Sequence, residues 1–274
     1  MAHHEAYTDG PTPFSVATAV GFSLTLALTL FAAGFALCTI QPTTNLLSRL
    51  FSDFETSVYL PQDVVDIAVA TRNFTINPPA GGEDAALNEL SRVVLAAASS
   101  SSSPTSLKAP QWKGVTIPAS STVSSTEMYA LAAQGSKYAY GPEEISHLQD
   151  CNKLVRHTVP FLVVIAALAL VLGVIVRARA GWRPFGRALV AAPAVLLLAM
   201  MAAGVWAIVD FPAFFTAFHG FLFPQGNWTF PADSLLITTL PTMFWVAMLF
   251  IWITTTVLLS LLCVYVGRRV LGYV

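Results

Sequence analysis

The chain has 274 residues, 55% of them hydrophobic and 11% charged, with a formal net charge of −1 at pH 7. The charged share is about half that of a soluble globular domain, which points to an integral membrane protein, and the near-zero net charge offers nucleic acid no attraction. Three scattered cysteines, Cys38, Cys151 and Cys263, form no Cys-x-x-Cys pair, so neither a zinc motif nor a disulfide framework is read.

Residues 1–13 are polar, lack Lys and Arg, and are expected to form a cytoplasmic tail. Residues 14–40 are apolar over a length that crosses a bilayer. The run is too long, and its start too poor in positive charge, for a cleaved signal peptide. Leu37, before Cys38, is not the small residue that a lipoprotein signal requires. A retained first transmembrane helix is therefore expected.

Residues 41–157 hold eight basic and eleven acidic residues, the balance of a solvated domain. Amphipathic helices are expected over 46–54 and 84–98, the second started by Glu83 or Asp84. From 96 to 125 the chain is rich in Ser, Thr, Pro and Ala. That composition predicts an insertion or mobile loop that cannot bury enough apolar surface to fold. Helical patterning returns from 126 to 154, with a break at Gly141-Pro142. Pro142 in a first turn, followed by Glu143 and Glu144, predicts a helix start.

Transmembrane helices are expected over 158–176, 188–209 and 234–266. The first two flank a loop, 177–187, that carries Arg177, Arg179, Arg183 and Arg187 and no acid. The last is followed by a tail, 267–274, with Arg268 and Arg269. Cytoplasmic loops carry the excess of Lys and Arg, so both termini and the arginine loop are expected inside. The domain 41–157 and the loop 210–233 are then outside. The expected fold is an all-α membrane protein with four transmembrane helices and a mainly helical extracytoplasmic domain between helices 1 and 2.

The loop 210–233 is crowded with aromatics, holds His219, and is interrupted by Pro212, Pro224 and Gly226. Aromatic side chains favour the headgroup level, and a histidine there exchanges protons near neutral pH. One reading is an interfacial re-entrant loop with an aromatic belt; the other is a catalytic or ligand site. Glu143, His147 and Asp150 are spaced to share a helix face. A carboxylate beside an imidazole suits a general base, although a surface ion pair has the same spacing. Glu144 and His147 resemble half of a di-metal carboxylate motif, but no second copy exists. Trp228 reads as an interface anchor and Asn227 as a turn residue. No Ser or Cys stands in a nucleophile-elbow context, so a histidine is expected to move protons while the substrate supplies the nucleophile.

Two stretches together resemble a known family. Glu143-Glu144-Ile145-Ser146-His147-Leu148-Gln149-Asp150 resembles the Glu-x-x-His-hydrophobic-x-Asp motif of the lipoprotein intramolecular transacylases. Phe218-His219-Gly220-Phe221-Leu222-Phe223, Gly226-Asn227-Trp228 and the segment from Leu236 to Trp245 resemble its second signature. The family's four-helix layout is similar too. The resemblance implies an acyltransferase of the bacterial cytoplasmic membrane. It would move an acyl chain from the S-glyceryl group to the α-amino group of the first cysteine of a diacylated lipoprotein, giving the lyso form. It implies His147 and His219 as catalytic residues, with Asp150 or Glu143 orienting His147 and with Asn227 and Trp228 in support. It implies no metal or cofactor, and a lipoprotein and membrane lipid as partners; oligomeric state stays open. Cys151 stands where the family pattern leads one to expect an aliphatic residue, and the Ser-rich segment departs from it. The rival readings are a non-enzymatic sensor or assembly factor and a lipid-binding or transport protein. Transport is disfavoured because no charge lies well inside a membrane segment.

Overall fold

A computed structural model of the chain describes residues 13–77, 81–118 and 125–273. These residues form ten α-helices: α1 (Pro13–Ala36), α2 (Gln41–Phe51), α3 (Pro61–Ile76), α4 (Gly82–Ser101), α5 (Ser125–Ala132), α6 (Pro142–Ala180), α7 (Trp182–Val209), α8 (Phe211–Leu222), α9 (Leu235–Thr239) and α10 (Thr242–Gly272). Four of the helical stretches, Ser15–Thr39, Pro142–Ala180, Trp182–Val209 and Thr242–Gly272, are long and apolar enough to cross a membrane. The all-helical, four-span expectation holds, with helices between the first two spans.

The described residues divide into two units. One draws on the described residues up to Phe35, on Val159–Ile208 and on those from Ile253 onward; the other on the described residues of Ala36–Thr158 and on Val209–Trp252. Helix α6 has 39 residues and is therefore about 58 Å long, roughly twice the hydrocarbon thickness of a bilayer. Its charged first part, through Thr158, belongs to the second unit. The apolar remainder is the part suited to hydrocarbon.

The first unit packs through small residues, as helices do where no water drives them together. Phe22 of α1 stacks on Phe185 of α7 with ring centroids 5.5 Å apart. A Cβ at Gly267 would lie 2.9 Å from the Gly186 carbonyl oxygen, so α7 and α10 approach backbone to backbone. A Cβ at Gly34 would collide with the Thr256 side chain.

The second unit has its own core. Tyr59, Val64, Ile67, Leu90, Val94, Met128, Leu131, Tyr140 and Ile145 are buried there with Leu235 and Phe244. Leu235 N–H donates to the Ser136 carbonyl (2.9 Å) and Asp53 N–H to that of Thr238 (2.8 Å), which fixes α9 in this unit. Pro241 cannot extend the ladder, so α9 stops and α10 starts afresh at Thr242. The expected single helix over 234–266 is thus two.

The serine-rich expectation is corrected over its described part. Helix α4 runs on to Ser101, and both Ser91 and Ser101 are buried. Ser91 donates to the Leu87 carbonyl (2.8 Å) and Ser99 to that of Leu95 (3.0 Å), so their hydroxyls are satisfied inside the helix. Ser101 donates to Asp63 (2.6 Å) and accepts from Leu60 N–H (2.9 Å). Beyond the helix, Trp112 is buried against Tyr59 and donates its Nε1–H to the Val58 carbonyl (2.9 Å). Lys108 donates to the carbonyls of Phe54 and Ser57 at 2.8 and 2.6 Å. Composition missed this because buried serines bonded to backbone carbonyls cost little, and because one tryptophan anchors a whole loop. Residues 119–124 lie outside the described set. Helix α3 had no counterpart in the sequence reading. The first amphipathic helix begins at Gln41, ahead of the expected 46.

Candidate functional site

The start of α6 forms as the sequence predicts. Pro142 occupies the first turn, and the buried Glu144 folds back so that its Oε2 accepts from Gly141 N–H at 3.0 Å. This half of a capping box, the third-position carboxylate accepting from the N-cap N–H, fixes the helix phase. Steps of four then place His147 above Cys151 and Ser146 above Asp150. The Cys151 Sγ lies 3.6 Å from His147 Nε2.

The stretch around His219 is helical, which corrects the expectation of a broken loop. Asp210 caps α8, its Oδ1 accepting from Ala213 N–H at 3.0 Å. Pro212 sits in the first turn, where it needs no N–H. Proline here starts the helix. His219 lies in the last turn with its Nδ1 2.9 Å from the Phe215 carbonyl oxygen. A carbonyl oxygen only accepts, so Nδ1 carries the proton. In the neutral ring Nε2 is then the basic nitrogen.

After α8 the chain reverses at Gly226, whose φ of 80° is one that side chains rarely adopt. The turn delivers Gln225 and Asn227 to α6. Gln225 donates to Asp150 Oδ2 at 2.8 Å and Asn227 to the same oxygen at 3.1 Å. Asn227 Nδ2 also lies 3.3 Å from Ser146 Oγ. Lys153 binds the other carboxylate oxygen at 3.1 Å. Asp150 is thereby the post to which the segment after α8 is tied.

The two histidines share an aromatic wall. The His147 ring meets Phe223 edge-on at 4.9 Å and Phe230 at 5.7 Å. The His219 ring lies 6.1 Å from the same Phe223, 3.8 Å from Phe215 and 5.2 Å from Trp228. Two polar atoms here are buried without a hydrogen-bond partner among the described residues: His147 Nδ1 and Asn227 Oδ1. Unpartnered buried polar atoms are rare in folded proteins and mark sites where another molecule completes the bonding.

Burial depresses both imidazoles. His147 falls to about 4, first by desolvation and then by the nearby His219, against an opposing pull from Asp150. His219 is lowered by burial, with its bond to the Phe215 carbonyl working the other way. The Cys151 thiol is pushed up to about 12, mainly by burial and then by Asp150. Both rings are therefore neutral at pH 7 and the thiol is protonated. A stability consequence follows. Unfolded, His147 titrates near 6.5; folded, near 4. Between these values the unfolded chain binds more protons, so stability is lost as pH falls through the window. In detergent, the drop in thermal midpoint from pH 7 to pH 4 is expected to be shallower for His147→Gln than for the parent. An equal drop would mean the ring is solvated.

Of the six residues singled out from sequence, the structure joins His147, Asp150, Asn227, His219 and Trp228 in this unit. Glu143 is exposed, and no bond from it to His147 is seen. Asp150 acts on His147 through its charge alone; its described bonds go to Lys153, Gln225 and Asn227. The Asn227 amide group is engaged with Ser146 and Asp150, which leaves only its acceptor oxygen free. Sequence reasoning missed Gln225, Phe223, Phe230 and the Cys151–His147 pair. The i, i+4 spacing was the available signal for the last of these. Among the described residues, no three His, Cys, Asp or Glu side chains are grouped to hold a metal ion.

Residues 123–245 match the model of the family described as lipoprotein intramolecular transacylase Lit. No curated protein and no solved structure matches the chain. The matched stretch contains both histidines, the α6 cap, α8 and the Asp150 tie, and over these residues the chain is similar to the lipoprotein intramolecular transacylase family, whose membership implies an acyltransferase acting on lipoproteins.

Proposed function

We propose that the chain moves an acyl chain from the S-glyceryl group to the α-amino group of the N-terminal cysteine of a diacylated lipoprotein, with His219 as general base and His147 as a neutral hydrogen-bond donor. The observation that carries this reading is the pair of unpartnered buried atoms, His147 Nδ1 and Asn227 Oδ1, beside the two neutral imidazoles.

The chemistry balances within the substrate. The α-amine attacks the ester carbonyl carbon and a C–N bond forms. His219 Nε2 takes the proton that the nitrogen sheds. The bond from carbonyl carbon to glyceryl oxygen then breaks, and the imidazolium returns its proton to that oxygen. One proton has moved from nitrogen to oxygen and His219 is again neutral. Donor and acceptor belong to one molecule, so the reaction already has the advantage of proximity. Proton transfer and charge stabilisation remain for the protein to supply.

His147 supplies the second. The Cys151 thiol, held protonated by burial, donates to Nε2 and leaves the ring proton on Nδ1. A neutral imidazole that donates to a carbonyl oxygen stabilises the developing oxyanion. The free Asn227 Oδ1 accepts from the attacking amine and orients its lone pair. Trp228 backs the His219 ring.

Charge sets the topology of this reading. The Arg177 to Arg187 loop and the Arg268-Arg269 tail lie inside, with the termini, and the histidines act at the outer face. The α8 helix rests in the headgroup zone, where the exposed Phe221 (85%) and Phe218 meet lipid. The test is mass spectrometry of lipoprotein N-terminal peptides from bacteria expressing the parent or the His147→Ala, His219→Ala double variant. The N-acyl, S-monoacyl form is expected with the parent alone. An unchanged diacyl pattern with well-expressed parent would overturn the reading and favour the sensor alternative.

A further inference from the structure

The first unit holds a groove that the acyl-transfer chemistry does not use. It encloses about 930 Å³ between α1, α6 and α7 and is lined by Phe22, Leu26, Ala166, Leu170, Arg177 and Trp182 among others. Along α6 it runs from Ala166 to Arg177. The eleven helical steps between these two residues span roughly 16 Å, about half the hydrocarbon thickness of a bilayer. The groove therefore has the length of one leaflet, with apolar walls and a single cation at one end.

That cation is held ready. The Arg177 guanidinium lies 3.6 Å from the Trp182 ring centroid, which orients it face-on to the indole. Stacking engages the face of the guanidinium and leaves its edge, where the N–H donors are, free to bond. The Arg177 Nε is buried and has no hydrogen-bond partner among the described residues. A buried, unpartnered donor of this kind costs free energy unless a ligand satisfies it. An apolar channel one leaflet deep that ends in an unsatisfied guanidinium complements a fatty acyl chain ending in an anionic phosphate.

We propose that this groove is a binding site for a glycerophospholipid, with one acyl chain between Phe22 and Leu170 and the phosphodiester on the Arg177 edge. The site is independent of the histidines and is filled from the leaflet at the arginine-rich end. Trp182 fixes the guanidinium plane, and the first turn of α7, which begins at Trp182, adds the favourable end of its dipole for an anion.

The test is native mass spectrometry of the full chain in detergent with added phosphatidylglycerol, and with diacylglycerol of the same chains as the phosphate-free control. Phosphatidylglycerol adducts are expected on the parent and not diacylglycerol adducts. Arg177→Gln is expected to weaken phosphatidylglycerol binding about tenfold, the worth of one charge-assisted hydrogen bond. Ala166→Phe, which blocks the far end of the groove, is expected to weaken long-chain phosphatidylglycerol and spare an eight-carbon homologue. It provides the reading if Arg177→Gln does not fold. Arg269→Gln, whose guanidinium lies by Tyr265, should bind as the parent does. Equal binding of phosphatidylglycerol and diacylglycerol, or parent-like binding by both groove variants, would overturn the proposal.

Discussion

Replacing His219 by glutamine is expected to lower the rate of acyl transfer by about 10²–10⁴-fold, the range for loss of a positioned general base. Glutamine can still donate to the Phe215 carbonyl, so the last turn of α8 should persist. What disappears is the basic nitrogen that the bond from Nδ1 to Phe215 leaves at Nε2. Initial rates on a synthetic diacylated lipopeptide, followed by mass spectrometry of the N-acyl product, give the measurement. The pH profile adds a second readout. His219 is held below its ordinary value of 6.5 by burial, so the base form dominates at neutral pH and is lost on acidification. The α-amine of the substrate titrates near 7.7–8.0, so the parent rate should fall with pH in two steps. In the glutamine variant the residual rate should follow the amine alone. A variant within threefold of the parent would remove His219 from the proton path.

The parts of this arrangement that were legible in the sequence are those fixed by short-range physics. Four apolar runs gave the four spans, because bilayer thickness sets their length. Pro142 with two acids gave the start of α6, because a helix N-terminus has unsatisfied N–H groups. The two histidines were found because their surroundings match a family signature. What the sequence hid is tertiary. Nothing local says that Gln225 and Asn227 converge on Asp150, since that depends on a reversal at Gly226 joining residues about 75 apart. Nothing local says that Phe223 touches both histidines. The serine-rich segment misled for the converse reason: composition reports average solvation and is blind to a hydroxyl satisfied within its own helix. Pro212 misled because proline breaks or starts a helix according to what precedes it, and here Asp210 caps the turn.

Asp150 illustrates how fold and chemistry separate. From spacing it looked like the partner of His147. Its carboxylate instead receives Lys153, Gln225 and Asn227, and these bonds together overcome the effect of burial and hold its pKa below the usual carboxylate value. Four functions follow from one side chain. It anchors the segment after α8 at Gln225, anchors it again at Asn227, leaves the Asn227 oxygen without a partner among the described residues, and biases His147 through space. A carboxylate bonded directly to His147 would have raised its basicity. Its absence there is consistent with a ring kept neutral as a donor.

His147→Gln is expected to lower the rate by about 10²–10³-fold, the range for removing one donor to a developing oxyanion. Cys151→Ala should cost far less, about tenfold at most, because it removes only the weak bond that sets the His147 tautomer. Cys151→Ser restores a donor at the same position and should recover most of that loss. A packing role for the thiol would not distinguish alanine from serine in this direction, since the hydroxyl is the worse match for an apolar neighbour. The three variants also separate two chemistries. If the substrate amine attacks the ester directly, no acyl group ever resides on the protein, and intact-mass spectra during turnover should show none. An acyl thioester on Cys151, together with a Cys151→Ala variant as inactive as His147→Gln, would make the thiol a nucleophile. That result would replace direct transfer by a two-step route. The protonated state of the thiol argues for direct transfer. With its pKa near 12, a thiolate would be available to only about one molecule in 10⁵ at pH 7.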